Sequence, residues 1–285
     1  MGLIWCLNGS SMPMKSGKAR QPAYAGILAF LLIYSPQAAW GQDTPPPARS
    51  TERIRIYAGP EIGPAYPGAK DTRFSPFFDF SRARGEEEFA YEAPDEGFGI
   101  PVVSVEGIYL GPVMTFTARR SVNDTAPGIA SVKATVEAGV SLQAEIGDRL
   151  YGFTEIRRGI GGHDGWVIGA GLDYILRDRD KWLISIGPRL EWGNRRHQRA
   201  YFGVTPQESA AAGVEAYSPG SGIQSLGGTL GALYQLSPQW GLAAYGRYDR
   251  LVGDAADSPI TENFGRRNQY SAGIALSYTF TRIRR

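Results

Sequence analysis

The stretch Y-S-A-G-I-A-L-S-Y-T-F, residues 270–280, alternates strictly between two kinds of side chain. Its odd positions are small or polar, and its even positions are apolar or aromatic: Tyr270, Ala272, Ile274, Leu276, Tyr278 and Phe280. Successive side chains of a β-strand point to opposite faces, so the pattern predicts a strand with one apolar and one polar face. Strands of soluble sheets commonly have about five or six residues, and this one is longer.

Two other stretches, 135–146 and 182–192, show the same alternation. The apolar face of 182–192 begins and ends with tryptophan. Ten steps of about 3.3 Å give this strand a length of about 33 Å. When tilted by about 40°, it rises about 25 Å, which is the height of the apolar band between the aromatic girdles of an outer-membrane barrel. The pattern therefore favours strands that cross a membrane.

The rest of the chain contains less regular strand patterns and no convincing helical period. The weaker candidate strands are 53–59, 72–80, 87–92, 99–110, 112–119, 150–159, 165–176, 227–236 and 240–251. Short connections, at 111–112, 147–149, 177–181 and 237–239, alternate with longer ones at 120–134, 160–164, 193–226 and 252–268. Outer-membrane barrels sort their turns and loops in this way. We predict an all-β fold, an antiparallel transmembrane up-and-down β-barrel of about 12 strands (range about 10–14), whose last strand pairs with its first.

The N-terminal region has the features of an export signal. Basic residues precede an apolar run at 23–34, and a small-x-small cleavage site follows at 39–41. The run is too short to span a bilayer comfortably. We expect a signal peptide over 1–41, a Pro-rich periplasmic segment over 42–52 and the barrel over 53–285.

Removal of the signal peptide changes the chemistry available to the chain. The peptide carries three basic and no acidic residues, so the formal net charge falls from +2 to −1. A nearly neutral chain has no polybasic footprint for nucleic acid. The only cysteine, Cys6, is also lost, which excludes disulfides, a thiol nucleophile and Cys-bound metal in the mature chain. The sequence indicates no cofactor.

Several motifs resemble one known family. They are YAGPEIGPAYPGAKD (57–71), GIYLGPVM (107–114), RRGIGGHDGWVIGAGLDY (157–174), IGPRLEWG (186–193), YFGVTPQES (201–209) and the closing strand at 270–280. Together they resemble the MipA/OmpV family of outer-membrane proteins over about 55–280. The resemblance implies an outer-membrane barrel of a Gram-negative bacterium. It also implies a scaffold that holds a membrane-bound lytic transglycosylase (MltA) near a bifunctional peptidoglycan synthase, and it brings no catalytic or ligand residues.

The closing strand also resembles the C-terminal assembly signal of bacterial outer-membrane proteins, which favours a terminal aromatic residue. The residues of this signal would be Tyr270, Ile274, Leu276, Tyr278 and Phe280. We therefore expect the barrel-insertion machinery and outer-membrane lipid as partners. Five residues, T-R-I-R-R, follow Phe280 and depart from that pattern.

Charged residues fall on the predicted lumen faces of the strands. They are Glu137, Glu145, Arg189, Glu191, Arg247 and Asp249. They fit either an internal salt-bridge network or a wet polar pore. A barrel near twelve strands is intermediate between filled and open barrels. We expect a largely blocked lumen, with the 193–226 loop as the plug and Tyr201–Val204 as its apolar anchor.

The pair His163–Asp164 is the most tempting catalytic feature, but it lies among glycines and no nucleophile motif accompanies it. We interpret it as a structural loop, and we place His197 in a solvated basic loop. Two scattered histidines make a poor metal site. The leading hypothesis is a non-enzymatic scaffold. The alternatives are a passive or selective channel for small solutes, an outer-membrane hydrolase that uses His163, and a soluble periplasmic barrel.

Overall fold

The computed structural model of the chain describes residues 51–283, and these residues form a nearly closed antiparallel barrel of twelve strands. The strands are β1 (Thr51–Pro64), β2 (Thr72–Arg84), β3 (Phe98–Gly99), β4 (Val103–Val105), β5 (Ile108–Thr117), β6 (Thr135–Ile146), β7 (Leu150–Ile160), β8 (Trp166–Asp178), β9 (Trp182–Gly193), β10 (Gly222–Gln235), β11 (Trp240–Leu251) and β12 (Asn268–Ile283). The predicted fold class is confirmed. The predicted signal peptide and most of the predicted Pro-rich segment lie outside the described residues.

The strands follow one another around the barrel in chain order, and the first pairs with the last. In the β1–β12 pair, Ile54 lies opposite Phe280 and Ala58 opposite Leu276. This pairing was predicted from the two-faced closing strand. It satisfies the backbone groups of both strands without leaving a free edge between them.

Most short turns gather at one end of the barrel and most long loops at the other, as predicted, but the long connection 85–97 begins at the end with the short turns. The short turns are 147–149, 179–181 and 236–239. We call this the turn end, and the opposite end the loop end. None of the helices in the described part of the chain is long and apolar enough to span a membrane.

The outer surface of the barrel is apolar. Val140, Ile186 and Ile274 are 50%, 59% and 49% exposed, whereas the adjacent Ser141 and Ser185 face inward and are 5% and 1% exposed. Other outward apolar residues are Leu142, Ile156, Leu172, Ile184, Leu230, Leu242 and Leu276. We call this surface the outer apolar face. An outward apolar stripe of this kind is the arrangement that lipid requires.

Aromatic residues flank the outer apolar face at both ends. Tyr278 packs between Trp240 and Phe280 at the turn end, with ring centroids 4.7 Å apart in each pair. At the loop end, Tyr248 and Tyr270 lie 5.3 Å apart. Tyrosine and tryptophan favour the interface between water and lipid, because one part of each ring system is apolar and another is polar.

One turn prediction was wrong. The pair 111–112 lies inside β5, and the chain instead turns at Glu106–Gly107, where both residues have positive φ, 47° and 81°. Two-residue hairpins of type I′ need positive φ at both central positions. Gly111 is a glycine because a Cβ there would lie 2.1 Å from the carbonyl oxygen of Ile100.

Short helices that the sequence pattern did not predict occupy the loop end. They are α1 (Arg195–Phe202), α2 (Pro206–Ala212), α3 (Gly253–Ala256) and α4 (Pro259–Asn263). They are too short to show a helical period, and capping defines them instead. Thr205 and Glu208 form a reciprocal capping box around α2, and Ser258 caps α4. The T-x-x-E spacing at 205–208 was the available sequence signal.

The barrel has one incomplete seam, between β2 and β3. β2 pairs only with β1, and β3 only with β5. The rings of Phe80 and Phe98 meet across this seam with centroids 5.7 Å apart. Pro76 lies in β2, where an edge strand tolerates a missing backbone donor.

Candidate functional site: the filled lumen

The lumen contains a segment of chain that the sequence pattern assigned to the wall. Residues 85–97, here called the lumen segment, connect β2 to β3 and do not form a strand, so the strand predicted at 87–92 was wrong. Phe89, Tyr91 and Ala93 are 4%, 8% and 5% exposed. Tyr91 meets the ring of Tyr151 edge-on, with centroids 5.0 Å apart. The segment is therefore packed against the inner wall.

One carboxylate of the lumen segment is held by two strands. Asp95 accepts hydrogen bonds from Nε and Nη2 of Arg189 at 2.8 Å each, and from Nη1 of Arg247 at 3.0 Å. The hydroxyl of Thr229 donates to it at 2.8 Å. Arg189 also donates two hydrogen bonds to Asp173, both at 3.0 Å. Buried charges persist only when paired in this way, so Asp95 ties the segment to β9, β10 and β11.

The opposite wall holds the end of the same segment. Gln143 donates to Glu96 at 2.6 Å, and the backbone N–H of Gly97 donates to Glu155 at 2.8 Å. Glu155 in turn contacts Arg157, whose Nε donates to Glu137 at 3.0 Å. The lumen segment is thus hydrogen-bonded to both sides of the barrel and crosses its interior.

Glu137 continues this network to two buried histidines at the loop end. His163 Nε2 lies 3.1 Å from Glu137, and the N–H of Gly165 donates to His163 Nδ1 at 3.1 Å. The second contact leaves the proton on Nε2, which donates to the carboxylate. The ring of His197 lies 4.6 Å from that of His163, and its Nε2 is 2.6 Å from Gln224.

His197 is 1% exposed, so its predicted place in a solvated loop was wrong. Asn194 caps α1 by accepting a hydrogen bond from the N–H of His197, which directs the helix across the barrel end. Burial, and then the neighbouring His163, lower the pKa of His197 to about 4. The imidazole is therefore neutral near pH 7.

Glycines make room for both imidazoles. A Cβ on Gly159 would lie 2.2 Å from the ring of His163, and one on Gly193 would lie 2.6 Å from that of His197. The glycines of the 157–165 motif thus serve packing, in keeping with the structural interpretation of His163. Within residues 51–283, His163 is hydrogen-bonded to the carboxylate of Glu137 and accepts from the backbone N–H of Gly165, and His197 is hydrogen-bonded to the amide of Gln224. No cluster of three metal-ligating side chains occurs in this range.

The structure brings most of the predicted lumen charges together. Arg247 pairs with Asp249, and Glu191 accepts a hydrogen bond from Gln224 at 2.7 Å. Glu145, in contrast, is exposed at the turn end of β6, outside this network. The sequence pattern missed Asp95, Asp173 and Glu155. Inward alternation on β7 and β8 was the available signal for the last two.

The 193–226 loop was predicted to be the plug, and its His197 lines the same interior cavity as Asp95 and Arg189. It covers the loop end, where Tyr201, Phe202 and Val204 are at most 2% exposed. Arg120 Nη1 donates to the carbonyl of Tyr201 at 2.6 Å. The predicted apolar anchor is therefore buried in the 193–226 loop where it covers the loop end, and we call this loop the cap.

The five residues of the proposed assembly signal lie along one strand. Tyr270, Ile274, Leu276 and Phe280 point outward from β12, and Tyr278 packs between two aromatic neighbours. Their recognition by insertion machinery stays a prediction.

Comparison with known proteins finds a matching family model and relatives whose descriptions agree with it. A family model described as MltA-interacting protein MipA matches residues 56–280. The MltA-interacting protein of Escherichia coli is 29% identical over 79 residues, which cover 28% of this chain and 32% of that protein. The outer membrane protein OmpV of Vibrio cholerae is 24% identical over 155 residues, or 54% of this chain and 57% of that one. The chain thus spans about a third of the length of the Escherichia coli protein and somewhat over half of the length of the Vibrio cholerae protein. A solved outer membrane channel from Pseudomonas putida is 10% identical, with a TM-score of 0.38, over 81% of this chain and 95% of that one.

Proposed function

Because this chain belongs to the MipA family of MltA-interacting proteins, we propose that it acts as an outer-membrane scaffold for peptidoglycan enzymes. The partners would be a membrane-bound lytic transglycosylase and a peptidoglycan synthase. The name of the relatives, MltA-interacting protein, supports the first partner, and the family resemblance motivates the second.

The filled lumen is the observation that carries this proposal. Asp95 is paired with two arginines in the interior, and the cap formed by the 193–226 loop covers the loop end. A barrel that is blocked in this way is poorly suited to passive diffusion. Its surfaces, rather than a pore, are then the parts available for function.

The outer apolar face and the sorted loops support an orientation in the outer membrane. In outer-membrane barrels the short turns face the periplasm. With the signal peptide removed, the turn end and the Pro-rich N-terminal segment would both face the peptidoglycan. β1 begins and β12 ends at this same end, where Thr51 pairs with Ile283.

Basic side chains at the turn end form the proposed docking surface. Arg82 and Arg84 are exposed near the end of β2, and Arg179 and Lys181 are exposed in the turn between β8 and β9. Asp180 in that turn is instead engaged by Arg53 at 2.9 Å. Exposed arginine and lysine steer an acidic partner surface, and their contribution falls with salt.

Pull-down of a lytic transglycosylase by the purified barrel tests the proposal. We expect Arg179→Glu with Lys181→Glu to reduce the captured enzyme at least fivefold, because both charges on the docking turn are reversed. The matched control is Arg195→Glu with Arg196→Glu, which reverses two exposed charges at the loop end. Equal capture by both variants, or no capture by the unmodified barrel, contradicts the proposal.

A further inference from the structure

A second feature of the lumen is a cavity of about 100 Å³ beside the lumen segment. It lies between that segment and the wall formed by β1, β2 and β9 to β12, and it extends to the turn between β8 and β9. Small residues leave the space open: Gly231, Ala243, Gly273 and Ala275 line the wall. A water needs about 10–15 Å³ of such volume, so the cavity has room for several waters or a small organic molecule.

Two acidic side chains line this cavity without a cationic partner among residues 51–283. Asp79 extends from β2, and Glu92 belongs to the lumen segment. The side chain of Asp79 accepts a hydrogen bond from the backbone N–H of Phe80 at 2.7 Å. This contrasts with Asp95 farther along the same segment, which is held by two arginines.

Three arginines line the same cavity, and Arg55, unlike Arg177, makes no ion pair among residues 51–283. The guanidinium of Arg55 lies 4.0 Å from the ring centroid of Phe89 and donates to the hydroxyl of Thr279 at 3.2 Å. Arg177 pairs with Glu88 at 3.1 Å and with Asp180. Arg179 is exposed in the turn between β8 and β9. Arg177 and Arg179 thus lie toward the turn end, at the end of β8 and in the turn that follows it.

Aromatic rings form much of the remaining wall. Tyr57, Phe77, Tyr91 and Tyr245 line the cavity, and the rings of Phe77 and Tyr245 lie 5.9 Å apart. The faces of such rings attract cations. The ring faces and the acidic side chains Asp79 and Glu92 therefore favour a cation in their part of the cavity.

Two buried hydroxyls at this cavity are also unsatisfied. Ser81 is 9% exposed and Tyr91 is 8% exposed, and the hydroxyl of each makes no hydrogen bond within the described chain. Buried polar atoms in folded proteins nearly always have a partner. A bound molecule with N–H donors supplies partners for both oxygens.

We propose that this cavity binds a small organic cation that carries an ammonium group and an apolar body. The ammonium ion takes the place between Asp79 and Glu92, and the body packs against the tyrosine and phenylalanine rings. A metal ion fits less well, because no group of three metal-ligating side chains occurs among residues 51–283. The mouth at the turn end admits a ligand from the side proposed to face the periplasm. The proposal goes beyond scaffolding and does not depend on it.

Titration of the detergent-solubilised barrel with benzylamine, which is protonated at pH 7, tests this site. We expect saturable binding that weakens with salt and is at least tenfold weaker in the double variant Asp79→Asn, Glu92→Gln. The control Glu145→Gln removes one exposed carboxylate outside the cavity and leaves binding unchanged. Benzyl alcohol and benzoate have similar shapes without the positive charge, and we expect each to bind at least tenfold more weakly.

A second variant separates loss of the site from loss of the fold. Ala243→Phe fills the cavity and keeps both carboxylates, so it should abolish benzylamine binding while heat-modifiability on a detergent gel is retained. Absence of saturable benzylamine binding overturns the proposal. So does unchanged affinity in the double variant, or equal binding of benzyl alcohol. A failed pull-down of the transglycosylase leaves this test unaffected.

Discussion

Asp95 shows how far a single residue can act in this barrel. Its carboxylate pairs with Arg189 and Arg247, which are 94 and 152 residues away in sequence. The alternation of apolar and polar residues along each strand predicted that both arginines face inward, because successive side chains on a strand point to opposite faces. It could not identify their partner, because that depends on how distant segments meet. Lumen-facing residues could therefore be predicted, but the contacts among them could not.

His197 gives the residue-scale prediction. Its pKa is lowered to about 4 in the folded cap, against about 6.5 when exposed. The unfolded chain therefore binds more protons between these values. Stability from neutral His197 is fully present above about pH 6.5 and is lost as the pH falls toward about 4, by at most about 1.4 kcal/mol per pH unit.

Chemical denaturation of the barrel between pH 4 and 7.5 measures this effect. We expect the His197→Gln variant to lose that part of the slope of unfolding free energy against pH, because glutamine does not titrate. Variant and parent are compared at each pH, so contributions of other groups cancel. Parallel curves for the two proteins would contradict the assignment.

The elements that could be predicted are the long paired strands. The predicted strand 135–146 coincides with β6, and 182–192 matches β9 to within one residue. The lumen segment was misassigned for a physical reason. Phe89, Tyr91 and Ala93 are buried while Ala90 and Glu92 are exposed, so the segment alternates like a strand. Any extended chain between two different surroundings has this period, whether or not its backbone pairs with a neighbour.

The element-scale prediction concerns the lumen segment. Replacement of residues 86–96 by a Gly-Ser linker of equal length removes the Asp95 ion pairs and the Phe89 and Tyr91 rings from the interior. We expect the variant to show clear single-channel conductance in planar bilayers, where the intact barrel stays close to background.

The matched control for this experiment replaces residues 206–216 in the cap, which are of similar number and lie outside the lumen. The control should conduct far less than the variant without the lumen segment. High conductance by the intact barrel would show that the lumen segment does not close the pore, and it would favour the channel function.

At the scale of the whole molecule, the architecture was predictable because local signals repeat on every strand. Alternation gave the two faces, and the sorted loop lengths gave the up-and-down order. The seam between β2 and β3 was not predictable, because it depends on where the lumen segment returns to the wall. The cap was only partly predictable, since its short helices are fixed by capping residues such as Thr205.

The outer apolar face leads to the whole-molecule prediction. Spin labels at Val140, Ile186 and Ile274 of the reconstituted barrel should be accessible to oxygen and shielded from a water-soluble nickel reagent, because these positions face hydrocarbon. Labels at the inward Ser141 and Ser185 provide the comparison and should not share the oxygen accessibility. Nickel-reagent access at the three outward positions would refute a lipid-facing surface.

The lumen segment is continuous with the wall at each extremity. It begins where β2 ends at Arg84, and it runs directly into Phe98–Gly99, which is hydrogen-bonded to β5. Both ends of the lumen segment are therefore held by strands of the wall. Sideways bending of the segment can widen the space beside it. Withdrawal of the segment from the lumen would break the hydrogen bonds between β3 and β5. Opening of the lumen by withdrawal of this segment would therefore require β3 to separate from β5.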